Sequence, residues 1–183
     1  MIHFATEDEL ERWLRQRDID LSRWGQGAAK SVSNLWAEIQ KGESVLSDDP
    51  PLRTLEAVRI IVRRGDAILI EAYQGFASGR RRARGWPPSE KLHPGEHYAD
   101  AALRCLREEL GVEDGDARVK PETYRQTVLE EVAQSYPGLR TRYTFHIVDA
   151  VVPQLPSHAF KTRENASGPG EPISVHFWEW RKA

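Results

Sequence analysis

The stretch "GEHYADAALRCLREELGV", residues 95–112, decides which fold the sequence predicts. Its alanines and leucines predict a helix from residue 98 to residue 110, and Gly111 is typical of the position where a helix ends. Arg104 stands four residues before Glu108, so the two side chains lie on the same face of that helix. The stretch therefore predicts a charged helix with a glycine stop.

Three carboxylates gather near this helix. Glu108 and Glu109 are adjacent, and Glu96 lies in the segment that leads into the helix. Carboxylate oxygens are the ligands that Mg²⁺ prefers, and a bound cation neutralises phosphate charge and acidifies a bound water. Arginine–glutamate pairs at this spacing also simply stabilise exposed helices. The spacing alone therefore leaves both a metal site and an ordinary salt-bridged helix open.

The same stretch resembles the signature of the Nudix hydrolases, usually written G-x5-E-x7-R-E-U-x-E-E-x-G-U, where U is aliphatic. Anchored at its right-hand end, the match gives Glu96 the place of the early glutamate and Arg104 that of the arginine. Glu108 and Glu109 then take the places of the acidic pair. The aliphatic, glycine and final aliphatic positions are Leu106, Gly111 and Val112.

The resemblance implies a fold and a reaction. The implied fold is α/β, a Nudix-like α/β/α sandwich with a mixed β-sheet over residues 55–183, preceded by an N-terminal helical hairpin within residues 1–50. The implied reaction is cleavage of the pyrophosphate link in a nucleoside diphosphate joined to another moiety, with Mg²⁺ or Mn²⁺. Glu109, Glu108 and Glu96 would hold the metal, and Arg104 would hold the helix carboxylates in place.

Two positions depart from the signature. Glu90 stands where the opening glycine is expected, and Cys105 stands where a glutamate follows the arginine. In the family that glutamate is a principal metal ligand, whereas a thiol is a poor partner for Mg²⁺. Glu90, or a later carboxylate such as Glu164 or Glu171, could restore the lost charge. The alternative function is a catalytically inactive Nudix-like domain that binds a nucleotide or a protein as a regulatory module.

The segment "GRRRARG", residues 79–85, is the strongest local charge feature. Guanidinium groups pair well with phosphate oxygens, so its arginines could bind the phosphates of a substrate. They could also contact a nucleic acid backbone, or form a solvated loop. Trp86 follows them and could stack on an aromatic base. The predicted substrate-binding residues are Arg80, Arg81, Arg82, Arg84 and Trp86.

Composition narrows the class of protein. The chain has 183 residues, 39% hydrophobic and 30% charged, which suits a globular protein with a buried core. A net charge of −2 gives no argument for a nucleic acid or a membrane as partner. With one cysteine, no signal-peptide pattern and no apolar segment approaching the roughly 20 residues that span a bilayer, we expect a cytoplasmic protein. We expect a small diphosphate-containing substrate, and the first 50 or so residues could build a homodimer contact.

The rest of the chain predicts flanking elements. Thr6 and Glu9 have capping-box spacing at the start of a first helix, and a second apolar helical face ends near Gly42. Two strands are predicted around a turn at Gly65, and two longer ones are joined at "YPGL". Residues 75–91, rich in glycine, arginine and proline, are predicted to be a loop. Strands before and after a central helix favour a mixed sheet with helices packed on it.

Overall fold

The computed structural model describes residues 2–27, 29–113, 115–163 and 173–182. Within these ranges the chain forms three helices and nine strands. The helices are α1 (Glu7–Gln16), α2 (Val32–Gln40) and α3 (Tyr98–Leu110). The strands are β1 (Val45–Ser47), β2 (Leu52–Arg64), β3 (Ala67–Phe76), β4 (Arg81–Trp86), β5 (Ser89–Lys91), β6 (Arg118–Val132), β7 (Arg140–Val151), β8 (Phe160–Thr162) and β9 (Ile173–Lys182).

The described strands pair in the order β6-β7-β2-β3-β9-β8, with β1 and β5 also on β2, and β4 on β3. This confirms the predicted α/β fold with a mixed sheet preceded by N-terminal helices. The chain divides into two compact units. One comprises Met1–Glu56 with Val128–Thr144, and the other comprises Ala57–Thr127 with Phe145–Ala183. None of the described helices is long and apolar enough to cross a membrane.

The first unit contains the N-terminal helices. The Thr6 hydroxyl accepts a hydrogen bond from the Glu9 backbone N–H at 3.2 Å, and the Glu9 carboxylate accepts one from the Ala5 N–H at 2.8 Å. The Thr6 bond is the N-cap half of the predicted capping box, whereas the Glu9 carboxylate bonds the N–H of Ala5 rather than that of the cap residue Thr6. A fully buried apolar cluster lies behind the helices. Its members are Leu10, Trp13, Leu14, Ile19, Trp24, Leu35, Leu46, Tyr136 and Leu139.

The second unit contains α3 and most of the sheet. Its core joins alternate residues of β2 to the apolar face of α3. Alternation is expected, because successive side chains of a strand point to opposite faces. Helix α3 has the predicted bounds, and it ends at Gly111, whose φ of +66° is the left-handed conformation that glycine adopts readily.

The hairpin of β2 and β3 positions the site. Its turn contains Gly65 at φ +59°, and beside the turn Arg63 pairs with Ile68 and Arg64 with Ala67. Beyond these pairs β4 lies against β3 and β5 lies against β2. The prediction of a loop over residues 75–91 was therefore wrong for these two strands, because long-range pairing orders a segment whose composition favours a loop.

Candidate active site

Arg104 fixes the start of α3 to the segment before it. Its Nε and Nη2 donate to the two Glu96 carboxylate oxygens, both at 2.9 Å, and Nη2 also donates to the Lys91 carbonyl at 2.8 Å. The bidentate hydrogen bond from Arg104 lowers the pKa of Glu96 to about 2. A carboxylate paired in this way keeps its charge and its position. The predicted positioning role of Arg104 agrees with these contacts.

Glu108 lies on the exposed side of the same helix. Its carboxylate is 46% exposed, and Arg104 Nη1 approaches it at only 3.4 Å. Such an exposed pair contributes little to stability. Glu96 and Glu108 therefore both face Arg104. Their role as metal ligands stays a prediction.

Glu109 points to the opposite side, into the protein. The residue is 7% exposed, and the fully buried Cys105 stands four residues before it in the same helix. The Thr162 hydroxyl bonds the Glu109 backbone carbonyl and accepts a 2.8 Å hydrogen bond from Trp178 Nε1. Strand β8 thus holds the last turn of α3 in place, and Cys105, in the preceding turn, is completely buried.

Glu71 of β3 forms a second buried acid. The residue is 2% exposed, its Oε1 lies 2.5 Å from His176 Nδ1, and its Oε2 accepts a 2.9 Å hydrogen bond from Arg84 Nε. Burial raises the pKa of the Glu71 carboxyl, but the His176 hydrogen bond and the Arg84 charge outweigh it and lower the pKa overall. A register shift in β3 between Glu71 and Tyr73 marks a bulge, a feature that often re-aims side chains beside active sites.

These acids influence one another. Burial, followed by the negative charges of Glu71 and Glu90, raises the pKa of Glu109 well above its usual range. Burial and then Glu109 likewise raise the pKa of Cys105, which keeps that residue a thiol. Glu90 acts on both groups, so the segment before α3 does place this carboxylate near the helix. Glu71 and Glu90 thus lie within electrostatic reach of Glu109, and Glu71 is itself paired with His176.

Two of these residues were missed from the sequence. Glu71 interrupts the apolar run "AILIEAY", residues 67–73, and an acid in the middle of a buried strand is a signal that could have identified it. His176 lies between Val175 and Phe177 and carries no local pattern, because its partner is 105 residues away in the chain. The two later acids that were considered, Glu164 and Glu171, lie outside the described residues.

The predicted arginines are dispersed along β4. Arg80 lies 4.0 Å from the Phe76 ring centroid, and Arg81 lies 4.9 Å from that of Tyr73. Arg82 bonds the Gln74 side chain through Nε at 3.0 Å, and Arg84 bonds Glu71. Of the four arginines, Arg84 is thus the one whose hydrogen bond joins the buried acids. Trp86, at the end of the strand, is 53% exposed.

A cavity lies beside α3, and Glu71, Glu90 and Glu109 are not among the residues that line it. It has a volume of about 440 Å³. Glu96, Asp100, Leu103, Arg104, Leu106, Arg107, Val112, Glu113, Gly115 and Ala117 line it. Within the described part of the chain, no three His, Cys, Asp or Glu side chains are grouped so as to hold a metal ion. The acids at Glu109 are therefore close neighbours in a packed environment rather than residues around an open cleft.

Several solved structures are similar to this chain at low identity. The C. elegans Ap4A hydrolase is 15% identical with a TM-score of 0.39, covering 70% of this chain and 80% of that one. A NUDIX hydrolase from Nitrosomonas europaea is 16% identical with a TM-score of 0.38, covering 69% and 72%. A bifunctional NMN adenylyltransferase/ADP ribose pyrophosphatase from Francisella tularensis is 20% identical with a TM-score of 0.35, covering 69% and 33%. These values say nothing about a substrate for this chain.

The family itself is established by sequence. No curated protein matches the chain significantly. The family model of the NUDIX domain, in contrast, matches residues 53–180, which is well over half of the chain. The match includes α3 and the described strands from β2 to β9, apart from the first residue of β2 and the last two residues of β9. The chain belongs to the Nudix family.

Proposed function

We propose that the protein is a Nudix-type pyrophosphohydrolase that cleaves a nucleoside diphosphate linked to another moiety, with Mg²⁺ or Mn²⁺. The observation that carries this proposal is the convergence of Glu71, Glu90 and Glu109 beside a helix whose start is fixed by Arg104 and Glu96. Carboxylates placed close together repel one another, and a divalent cation relieves that repulsion.

Carboxylate oxygens are the donors that a hard cation prefers, although no three such side chains among the described residues are already grouped around one point. Glu109 is the central candidate ligand, as the sequence predicted. Glu71 and Glu90 act on its pKa more strongly than Glu108 or Glu96 does, so we propose them as its companions in place of the predicted pair. A bound cation would neutralise phosphate charge and acidify a water.

The chain's own residues supply the remaining functions. Arg104 holds Glu96 and the entry to α3, so it is a positioning residue. The Arg84 side chain is 29% exposed, so it can bind a phosphate while it keeps its hydrogen bond to Glu71. His176, 1% exposed, fixes the second Glu71 oxygen and keeps that carboxylate oriented. Oriented charges of this kind act without reorganisation when phosphate charge develops.

A second candidate function is a catalytically inactive Nudix-like domain that binds a nucleotide or a protein. The burial of Glu109 favours it, because that residue is 7% exposed and is not among the residues that line the cavity beside α3. The proposal in either form places the protein in the cytoplasm with a small diphosphate compound as ligand. A homodimer and a nucleic acid contact through the β4 arginines remain expectations.

The test is turnover of a panel of nucleoside diphosphate sugars, dinucleotide polyphosphates and capped RNA with Mg²⁺ or Mn²⁺. We expect Glu109→Gln to lower turnover by about 100-fold or more, the scale seen when a charge-stabilising group is lost. Asp100→Asn, an exposed acid of the same helix, is the matched control and should retain activity. Thermal unfolding of each variant shows whether it is folded.

Three outcomes separate the candidates. Turnover that disappears in Glu109→Gln and survives in Asp100→Asn supports the hydrolase. Equal turnover in the wild type and Glu109→Gln contradicts the assignment of the site. No turnover in the wild type, with metal binding gained by Cys105→Glu, supports the inactive domain.

A further inference from the structure

Arg59 of β2 carries a charge that the protein does not balance. Its guanidinium carbon lies 4.2 Å from the Phe145 ring centroid and 5.1 Å from that of Trp86. Its Nε is buried and has no hydrogen-bond partner. No ion pair joins Arg59 to any carboxylate in the described ranges of the chain. The side chain is therefore a partly buried cation in contact with two aromatic rings.

Removing a guanidinium from water costs free energy unless an anion pairs with it. Withdrawn charges in proteins are normally paired, and cation–π contacts offset only part of the lost hydration. The same unit shows the usual solution twice, since Arg104 is paired with Glu96 and Arg84 with Glu71. Arg59 differs from both. Burial and then the positive charge of Arg84 lower its pKa, which shows that a second guanidinium is close by.

The neighbouring indole gives the missing partner a shape. Trp86 is 53% exposed, although large aromatic side chains are usually much more buried. An exposed indole is a surface on which a planar ring can stack. A ligand that carries both a planar ring and an anionic group could therefore place its ring on Trp86 while its anion reaches Arg59.

We infer that Arg59 and Trp86 form a nucleotide-binding site, in which Arg59 binds a phosphate group and Trp86 stacks on the base. The inference deepens the proposed function, on which the choice of a nucleotide rests, and it holds equally for a hydrolase and for an inactive binding domain. The Phe145 ring also packs against this guanidinium, so Phe145 is a positioning residue. The arginines Arg80 to Arg82 have no part in this site.

The experiment measures ligand binding by calorimetry in EDTA, where metal-dependent hydrolysis cannot occur. The probes are adenosine diphosphate, adenosine and inorganic pyrophosphate, which separate the contributions of base and phosphate. The variants are Arg59→Gln and Trp86→Ala. Arg63→Gln is the matched control, because Arg63 is an arginine of the same strand that is 50% exposed and paired with Asp149.

Each variant should have its own pattern. Arg59→Gln should weaken the binding of adenosine diphosphate by about 10-fold or more, which is the affinity that one hydrogen bond to a charged group contributes. The affinity for adenosine should not change. Trp86→Ala should weaken the binding of both ligands by about 10-fold, which is the affinity that stacking of one base contributes. Arg63→Gln should match the wild type. Thermal unfolding in the absence of ligand provides a second readout: Arg59→Gln should not lower Tm, since it removes an unpaired charge.

Other results would overturn the inference. If Arg59→Gln and Arg63→Gln bind adenosine diphosphate as tightly as the wild type does, or if the wild type does not bind it, no such site exists. A second contrary result would be pyrophosphate binding that needs Arg59, with adenosine diphosphate bound no more tightly than pyrophosphate. The site would then bind phosphate groups alone, and Trp86 would have no role in it. None of these results depends on turnover, so the proposed hydrolysis can fail independently.

Discussion

Replacing Glu96 by glutamine should destabilise the protein by about 2 kcal/mol. The substitution keeps the shape of the side chain but removes the charge that receives two 2.9 Å hydrogen bonds from Arg104. A change in the pKa of Glu96 from 4.5 to about 2 corresponds to about 3 kcal/mol of favourable interaction. We take about 2 kcal/mol because solvent still reaches the pair, whose side chains are 13% and 15% exposed.

The pH dependence gives the sign of the effect. The folded-state pKa of Glu96 is lowered, so its contribution is fully present above pH 4.5 and is lost as the pH falls towards about 2. Urea unfolding of the wild type and Glu96→Gln should therefore differ by about 2 kcal/mol at neutral pH and converge in acid. Glu108→Gln is the control, since its 46% exposed carboxylate should contribute less than about 0.5 kcal/mol. Equal stability of Glu96→Gln and the wild type at neutral pH would refute the reasoning.

Three further predictions concern burial and backbone. Arg53→Met should destabilise the first unit by about 2 kcal/mol in urea unfolding, because the 5% exposed Glu38 loses its 2.7 Å bond from the buried Arg53 and keeps the one from Lys30; an unchanged midpoint would contradict this. Cys105 should resist alkylation in the folded protein and react fully in concentrated guanidinium, since it is completely buried and its pKa is raised; rapid native labelling would show that α3 opens. Gly111→Ala should cost about 1 kcal/mol in the same unfolding assay, because φ is +66° there, and no cost would mean that the helix end rearranges.

Local patterns predicted the elements whose structure is decided locally. Helix α3 follows from its run of helix formers and its glycine stop, and α1 from the hydrogen-bonding spacing of Thr6 and Glu9. The β2–β3 turn follows from Gly65 between two apolar runs. In each case the residues that determine the structure lie within a few positions of one another, so a single sequence contains the necessary information.

The site depends on pairings that a single sequence does not show. Strand β4 consists mainly of arginines and a glycine, which are poor strand formers, and it is ordered by its pairing with β3. That pairing brings Arg84 to Glu71, and the pairing of β3 with β9 brings His176 to the same carboxylate. No periodicity within β3, β4 or β9 contains this information. The predicted metal ligands and the observed buried acids therefore share Glu109 and differ in their other members.

Cys105 acquires a physical explanation from this arrangement. A glutamate at position 105 would add a fourth carboxylate to the buried surroundings of Glu71, Glu90 and Glu109, and uncompensated buried charges are costly. The uncharged thiol avoids that cost and packs within the core between α3 and the sheet. The same substitution leaves fewer oxygen donors for a metal. Stability without metal and affinity for metal are thus opposed at this one position, and the response of Cys105→Glu to Mg²⁺ measures the balance directly.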